Sequence, residues 1–342
     1  MIAILGDDLT GALDSAAPFA GRGMHTEVAL NPDVIPLVLQ DRPDVLAINL
    51  ACRELHEDAA REAAARAISM LPPGTSLFKK IDSRLKGHIA AELDATPFDR
   101  ALVAPAIPEF GRFVAAGCLE GFGVDKSISI REKLGRHASR AIIPDIRSAA
   151  DMDEALQTAQ ATGVDLLIGA RGLADALARG MTERAEAVPA EIPAGAALFV
   201  IGSRDPITLA QIDELRRSYP VHCLQAPNGM LAESSIGGTG ITLVQATPGT
   251  EVCSPQEVSE ALAASIAPSL TDTAKTLLLS GGATAEAVLR RMGISRFRLT
   301  GECLPGLGLA YAGGQCIIAK SGGFGGPDTL TSITSMILRK AG

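Results

Sequence analysis

Short apolar runs alternate with longer stretches rich in Ala, Leu and Glu almost from one end of the chain to the other. Residues 1–5, 26–30, 45–50, 76–81 and 101–105 have the length and bounds of buried strands. Between them, residues 56–71 (HEDAAREAAARAISML) have the composition of a helix exposed on one face. A helical run at 152–161 leads to a further strand at 166–169. This β-then-α order predicts an open, mostly parallel sheet covered by helices. The pattern breaks at 186–196, EAVPAEIPAGA, which is rich in Pro and Ala and has no hydrophobic period, as expected of a linker. A second series follows, with strands at 198–201, 221–225, 241–245, 276–279 and 316–319. Its helices are expected at 208–218, 255–266, 284–292 and 330–339. The fold class expected is therefore α/β in two domains, 1–190 and 195–342, each a mostly parallel sheet flanked by helices.

Composition narrows the function. With 342 residues and 47% hydrophobic positions, the chain has material for two cores. No apolar stretch reaches the ~18 residues of a transmembrane helix. The opening apolar run covers only residues 1–5 with no basic residue before it, so a first strand rather than a secretory signal is expected, and with it a cytoplasmic protein. A net charge of −8 argues against a nucleic-acid partner. Aromatics at 3% and the lack of Trp remove the stacking platforms of single-strand binders. The six cysteines form no CxxC pair and the five histidines no i, i+4 pair, so buried thiols are expected rather than a zinc site.

Ligands of open α/β sheets sit beyond the carboxyl ends of the strands, and chemistry-bearing residues recur there. GDDLTGALD follows the first strand and brings Asp7 and Asp8. A carboxylate there accepts hydrogen bonds from neighbouring hydroxyls, ligates Mg²⁺ or acts as general base on an alcohol. Helix capping explains one acid more readily than two. In KKIDSRLKGHIAAEL, residues 79–93, Asp82 and Ser83 end a strand, and Arg84, Lys86, Gly87 and His88 precede a helix. Lys79, Lys80, Arg84 and Lys86 place four cations within eight residues of an acidic protein. Such a turn suits a carboxylate or phosphate, with Arg for the bidentate contact, or is a solvated basic loop. APAIPEFGR, 104–112, turns on two prolines and brings Arg112 as a further anion contact or a surface residue.

Past the linker the loops change from charged to glycine and hydroxyl. Residues 201–213 place Gly202 and Ser203 at a strand end, and 280–284 (SGGAT) place Gly281 and Gly282 before a helix. PGLG, 305–308, reads as a turn carrying Gly306 and Gly308; KSGGFGG, 320–326, puts Ser321, Gly322 and Gly323 after another strand. Glycine lets backbone N–H groups approach phosphate oxygens, and helix N-termini favour the anion. Each loop alone is an ordinary βα turn; four in one half predict a nucleotide site. GxxxxGK[ST], a GxGxxG after the first strand and a GxSxG elbow are all missing, against P-loop, NAD(P) and hydrolase readings.

In their order along the chain, DDLTGALD, KKIDSRLKG, APAIPEFGR, GSRDPITLAQ, SGGAT, the PG turn and AKSGGFGGPD resemble the four-carbon acid sugar kinase family, which includes D-threonate, D-erythronate and 3-oxo-tetronate kinases. The resemblance implies an N-terminal sugar-acid-binding domain, a C-terminal ATP-binding domain and an active site in the cleft between them. The implied reaction moves the γ-phosphoryl group of ATP, with Mg²⁺, to a terminal hydroxyl of a small sugar acid. Asp7, Asp8, Asp82, Ser83, Arg84 and Lys86 fall on the sugar-acid side; Ser203, Gly306, Gly308 and Gly323 fall on the ATP side, with Gly281, Gly282, Ser321 and Gly322 beside them. Asp8 and Asp82 are the expected catalytic acids, Asp8 favoured as base, and Arg84 and Lys86 orient the substrate carboxylate. Where the family has a D-S-T-L-R-G-like run, this chain has Asp82, Ser83, Arg84, Leu85, Lys86 and Gly87, so a cation replaces a hydroxyl and Lys replaces Arg. The sugar domain is also shortened around residues 121–135. A non-catalytic ligand sensor and an NAD(P)-dependent dehydrogenase stand as alternatives, and a homo-oligomer is left open.

Overall fold

The structure, a computed structural model, describes residues 1–184, 186–232 and 240–339. They fall into two units, Met1–Ala187 and Val188–Gly342. Among the described residues no helix is long and apolar enough to cross a membrane.

The first unit opens with β1 (Ile2–Gly6), α1 (Leu9–Gly21), β2 (Thr26–Ala29), the single turn α2 (Ile35–Val38) and β3 (Val45–Asn49). It continues with α3 (Glu57–Ser69), β4 (Ser76–Lys80), α4 (Ile89–Asp94) and β5 (Ala101–Ala104). Then come three short strands, β6 (Arg112–Ala115), β7 (Cys118–Gly121) and β8 (Ile128–Ser129), and α5 (Ile130–Leu134). The unit ends with β9 (Ala141–Ile142), α6 (Ala149–Ala161), β10 (Leu166–Gly169) and α7 (Arg171–Met181). Its main sheet has the order β2-β3-β1-β4-β10-β5-β9, and every pairing in it is parallel. Strands β6, β7 and β8 form a separate antiparallel sheet.

β1 and β3 are buried along their whole length, which is why they read as unbroken apolar runs rather than as alternating ones. On one face Leu5, Leu46 and Ile48 pack against the stripe Ala60, Ala64 and Ala67 of α3, spaced at helical intervals. The other face is covered by α1, whose side chains are almost all buried, and by α7. Register decides where the loops go. Gly6 lies opposite Asn49 and Lys80, and Gly169 opposite Lys80 and Ala104, so five strand ends are level. The segments that follow them all emerge at the carboxyl edge of this sheet.

The second unit runs β11 (Ala197–Ile201), α8 (Pro206–Ser218), β12 (His222–Pro227), β13 (Ile241–Thr247), α9 (Pro255–Ile266) and β14 (Thr276–Ser280). It closes with α10 (Gly282–Arg291), β15 (Arg296–Leu304), β16 (Leu307–Ala312), β17 (Gln315–Lys320) and α11 (Thr329–Arg339). The strand order is β12-β13-β11-β14-β17-β16-β15; the β15–β16 and β16–β17 pairings are antiparallel and the other four pairings parallel. Phe199, Ile201, Leu278 and Ile318 pack on one face against Ile212 and Leu215 of α8 and Leu330, Ile333 and Ile337 of α11. The expected turn at 305–308 needs correcting. Only Pro305 and Gly306 turn; Gly308 already pairs with Glu302 and Ala319 inside a β15–β16–β17 meander.

Candidate functional site

The acids after β1 are gathered by a residue that the sequence reading passed over. Arg53 lies in the loop after β3, whose Cys52 and Arg53 N–H groups donate to the Asp7 carbonyl at 3.0 and 3.2 Å. Its guanidinium grips Asp7 with two bonds of 2.8 Å, donates to Asp8 Oδ2 at 2.6 Å and stands 3.7 Å from Asp82 Oδ2. Asp8 is also the N-cap of α1, accepting from the Gly11 N–H at 2.8 Å and the Thr10 hydroxyl at 3.1 Å. Asp82 shapes its own turn by accepting the N–H groups of Arg84 (2.9 Å) and Lys86 (3.2 Å) through Oδ1. Asp7, Asp8 and Asp82, read from the sequence as separate strand-end acids, are thus brought around one cation.

The environments of these acids differ. Burial pushes the Asp7 carboxyl up, but the Arg53 fork and the charges of Lys79 and Lys80 outweigh it and leave it below the usual carboxylate range. Burial also raises Asp8; Arg53 and Lys80 offset only part of that, the charge of Asp7 adds to it, and the group ends above the usual range. For Asp82 burial again pushes up, and Arg53, Lys80 and the Arg84 N–H bring it below.

The four cations of 79–86 separate by position. Lys79 is buried and paired at 2.6 Å with the equally buried Glu92, while donating to the carbonyls of Leu5 and Lys80. It therefore braces the sheet from within, which corrects its place in an anion-gripping turn. Lys80 points to the opposite face. Lys86 is exposed and Arg84 half-buried on the turn itself. Arg112, far from a surface residue, is only 4% exposed. It donates to the Phe122 carbonyl at 2.9 Å and to Ser83 Oγ at 2.7 Å, and among the described residues no carboxylate pairs with it. Burial and the neighbouring Arg84 charge pull its guanidinium below its ordinary value.

In the second unit the glycine loops share one edge. Ile201 lies opposite Ser280, Ser280 opposite Lys320, and Lys320 opposite Leu307. Ser203, Gly281, Gly282, Gly306, Ser321, Gly322 and Gly323 therefore lie at or just beyond these ends, whereas Gly308 is one step inside β16. The loops touch closely. A methyl on Gly322 would come within 2.1 Å of Ser203 Oγ, and one on Gly306 (φ +78°) within 2.2 Å of the Phe324 ring. The Gln211 amide donates to the Phe324 and Gly326 carbonyls, and the Thr208 hydroxyl to the Gly322 carbonyl. Lys320, wholly buried, donates to Thr208 Oγ1 at 3.1 Å and the Ser321 carbonyl at 3.0 Å; burial pulls its ammonium down to about 8. At the start of α10, Gly281 supplies no side-chain cap and the first turn holds no acid, so the helix presents bare N–H groups to an anion. No group of three His, Cys, Asp or Glu side chains with metal-holding geometry occurs among the described residues.

Residues 2–125 match the model of a sugar-binding N-terminal domain, and residues 232–330 that of a nucleotide-binding C-terminal domain. The chain is thus a two-domain α/β protein joining a sugar-binding to a nucleotide-binding domain. It is 30% identical to a D-threonate kinase of Cupriavidus necator over 94% of both chains. A D-erythronate kinase of Heliobacterium modesticaldum is 36% identical over 34% of this chain and 28% of its own. The fold matches that of a Haemophilus influenzae protein from a domain-of-unknown-function family, with a TM-score of 0.67 over 99% of both chains at 18% identity. The chain belongs to the four-carbon acid sugar kinase family, that of the D-threonate, D-erythronate and 3-oxo-tetronate kinases.

Proposed function

We propose that the protein transfers the γ-phosphoryl group of ATP to a terminal hydroxyl of a small, four-carbon-like sugar acid. The observation that carries this reading is Arg112, a buried guanidinium next to Arg84 with no carboxylate of its own among the described residues. A buried charge that Asp82 and Asp14 offset only in part and from a distance is costly, and a substrate carboxylate beside Ser83, Arg84 and Arg112 would supply the counter-charge, with the exposed Lys86 adding to the field. Asp8 is the base. The environment pushes Asp7 and Asp8 apart in proton affinity, leaving Asp7 ionised in the Arg53 fork and Asp8 ready to take a proton. The substrate hydroxyl oxygen bonds to the γ-phosphorus, its proton passes to Asp8, and the β–γ bridging oxygen leaves with ADP. Ser203 and the glycines of 281–282, 306 and 321–323 offer main-chain N–H groups to the phosphates, while Gly308 is held within β16.

Mg²⁺ takes one or two carboxylates and otherwise phosphate oxygens and water, and the acids present suit that demand. Asp82 has Oδ1 committed to its turn and only a 3.7 Å contact on Oδ2, which makes Oδ2 the oxygen to hold it. The ion would neutralise charge on the phosphates.

The test is ADP release by the full chain with ATP–Mg²⁺ across four-carbon sugar acids. Turnover with at least one acid, and none with the matching polyol that lacks a carboxylate, is the expected result. Thermal stabilisation by acid and nucleotide without any ADP would replace the kinase reading by that of a sensor. Two substitutions separate binding of the acid from binding of the nucleotide. Arg112→Leu should raise KM for the acid by about 30-fold, the worth of a charge-assisted hydrogen bond, with KM for ATP unchanged. Gly306→Ala strains a left-handed turn and strikes the Phe324 ring. It should weaken binding of a non-hydrolysable ATP analogue by about tenfold, roughly 1.4 kcal/mol, read by calorimetry, while acid binding stays as it is.

A further inference from the structure

Lys80 ends β4 with its side chain turned toward α1 and only 3% exposed. Its ammonium donates to the Ile81 carbonyl at 2.9 Å, and that is its one described hydrogen bond. A lysine has three N–H donors, so two are unspent in a place where leaving them unspent is costly. The group lies over Gly11. A methyl added there would meet Asp8 Oδ1 at 2.6 Å and Lys80 Nζ at 2.8 Å, so glycine is what lets the carboxylate and the ammonium share this space. The charge of Lys80 acts on Asp7, Asp8, Asp14 and Asp82 together, yet none of them pairs with it directly. The cation is built into the acid cluster without being consumed by it.

We infer that Lys80 is a catalytic residue of this site, its free N–H groups holding the acceptor hydroxyl oxygen while Asp8 removes the proton. This rests on the phosphoryl-transfer reading and adds a second group at the reacting oxygen. Donation to that oxygen stabilises the charge it gains as the proton leaves and fixes its line of approach to phosphorus. No further reactant is needed: the proton goes to Asp8, the new bond is oxygen to phosphorus, and ADP departs as before. The groups facing Asp8 are Arg53 from the loop after β3, Asp7 from the end of β1 and Lys80 from the end of β4, with Asp14 on α1 and Asp82 after β4 around them. Removing Lys80 takes positive charge from this set, so Asp8 must hold its proton to higher pH.

The experiment compares wild-type full chain, Lys80→Met and Gly11→Ala, using ATP–Mg²⁺ with D-threonate and D-erythronate as probes. Lys80→Met should lower kcat by about 100-fold, leave KM for ATP unchanged and move the acid limb of kcat/KM to higher pH. The moved limb reports the charge of Lys80 on Asp8, while the fall in kcat on the alkaline plateau, where Asp8 is unprotonated in both proteins, reports donation to the hydroxyl oxygen; a merely structural lysine would leave that plateau unchanged. Gly11→Ala favours the helix and keeps both charged groups while prising them apart, so a fall in kcat of about tenfold or more without loss of the folded state is expected. Wild-type turnover with Lys80→Met within threefold of it and an unmoved acid limb would overturn the role of Lys80 alone. Should Lys80→Met fail to fold, Gly11→Ala decides, and a wild-type kcat there overturns it equally. No ADP from wild type with either probe or any other four-carbon acid removes the kinase reading, and the inference with it.

Discussion

Arg53→Met should cost about 3–5 kcal/mol of folding stability at neutral pH, the usual penalty for stripping one partner from a buried ion pair, and should leave no measurable turnover. Asp7 is 2% exposed and takes both of its short contacts from this one guanidinium. The pH dependence gives a sharper reading than the size. In the wild type the Asp7 pKa is depressed, so its contribution is fully present above the unfolded-state value of ~3.9 and is lost as pH falls through the folded value. Without the fork burial prevails and the same carboxyl is raised. The folded variant then binds more protons than its unfolded chain, and its stability rises as pH falls toward ~3.9. The stability gap between the two proteins should therefore be widest near pH 7 and narrow steadily on acidification, as read by urea unfolding between about pH 4.5 and 7.5. A gap that stays constant over that range would mean that Arg53 does not govern Asp7. The double variant Arg53→Met with Asp7→Asn should recover part of the lost stability, because both charges are gone, but none of the activity.

Why Arg53 was invisible in the sequence, while Asp7, Asp8, Asp82 and Arg112 were not, follows from where the information lies. The acids stand at the ends of strands 1–5 and 76–81, the first an unbroken apolar run that reflects burial on both faces, and strand ends are where α/β sheets place chemistry. Arg53 sits in ACREL, a lone cation 46 residues from Asp7, and only the parallel pairing of Gly6 with Asn49 carries its loop beside them. Its strand-end position was the one available signal. Lys79 and Lys80 show the opposite difficulty. Adjacent in sequence they look like one basic patch, but successive strand residues face opposite ways. Lys79 accordingly enters the α4 side to meet Glu92, and Lys80 the α1 side to meet the acids. The helix at 255–266 was legible with both its bounds, and the capping box that Ser254 and Glu257 close around Pro255 fixes its start. The strands 112–115, 118–121 and 128–129 are too short for any period to register. In the hairpin after α10, RFRLTGECL does alternate, with Phe297, Leu299 and Cys303 buried, but the glycines of PGLG drew Gly308 into a turn it does not occupy.

Asp8→Asn should lower kcat by about 10²- to 10³-fold, the range of a single proton acceptor, and should leave nucleotide binding alone. The substitution is clean for structural reasons. Asn caps a helix as well as Asp does, so the contact with the Gly11 N–H survives and α1 keeps its start. Arg53 retains both bonds to Asp7 but loses its 2.6 Å bond to Asp8 Oδ2, a loss offset by removing a buried carboxylate whose pKa is raised by desolvation. The melting temperature should accordingly stay near that of the wild type, and any loss of turnover reports on chemistry. In the wild type, activity should climb with pH through an acid limb set above the ordinary carboxylate range, because the base works only when unprotonated. In Asp8→Asn the residual activity should be flat across that limb. Asp7→Asn offers the contrast, since Asp7 is already ionised throughout: it should damage the Arg53 fork and stability and move the limb to lower pH without abolishing it, because the charge of Asp7 is one of the causes that raise Asp8. A limb that persists in Asp8→Asn, or turnover within fivefold of the wild type, would take Asp8 out of the proton transfer. It would point to Asp82, whose Oδ2 is lightly engaged, or to a transition state loose enough to need no base at all.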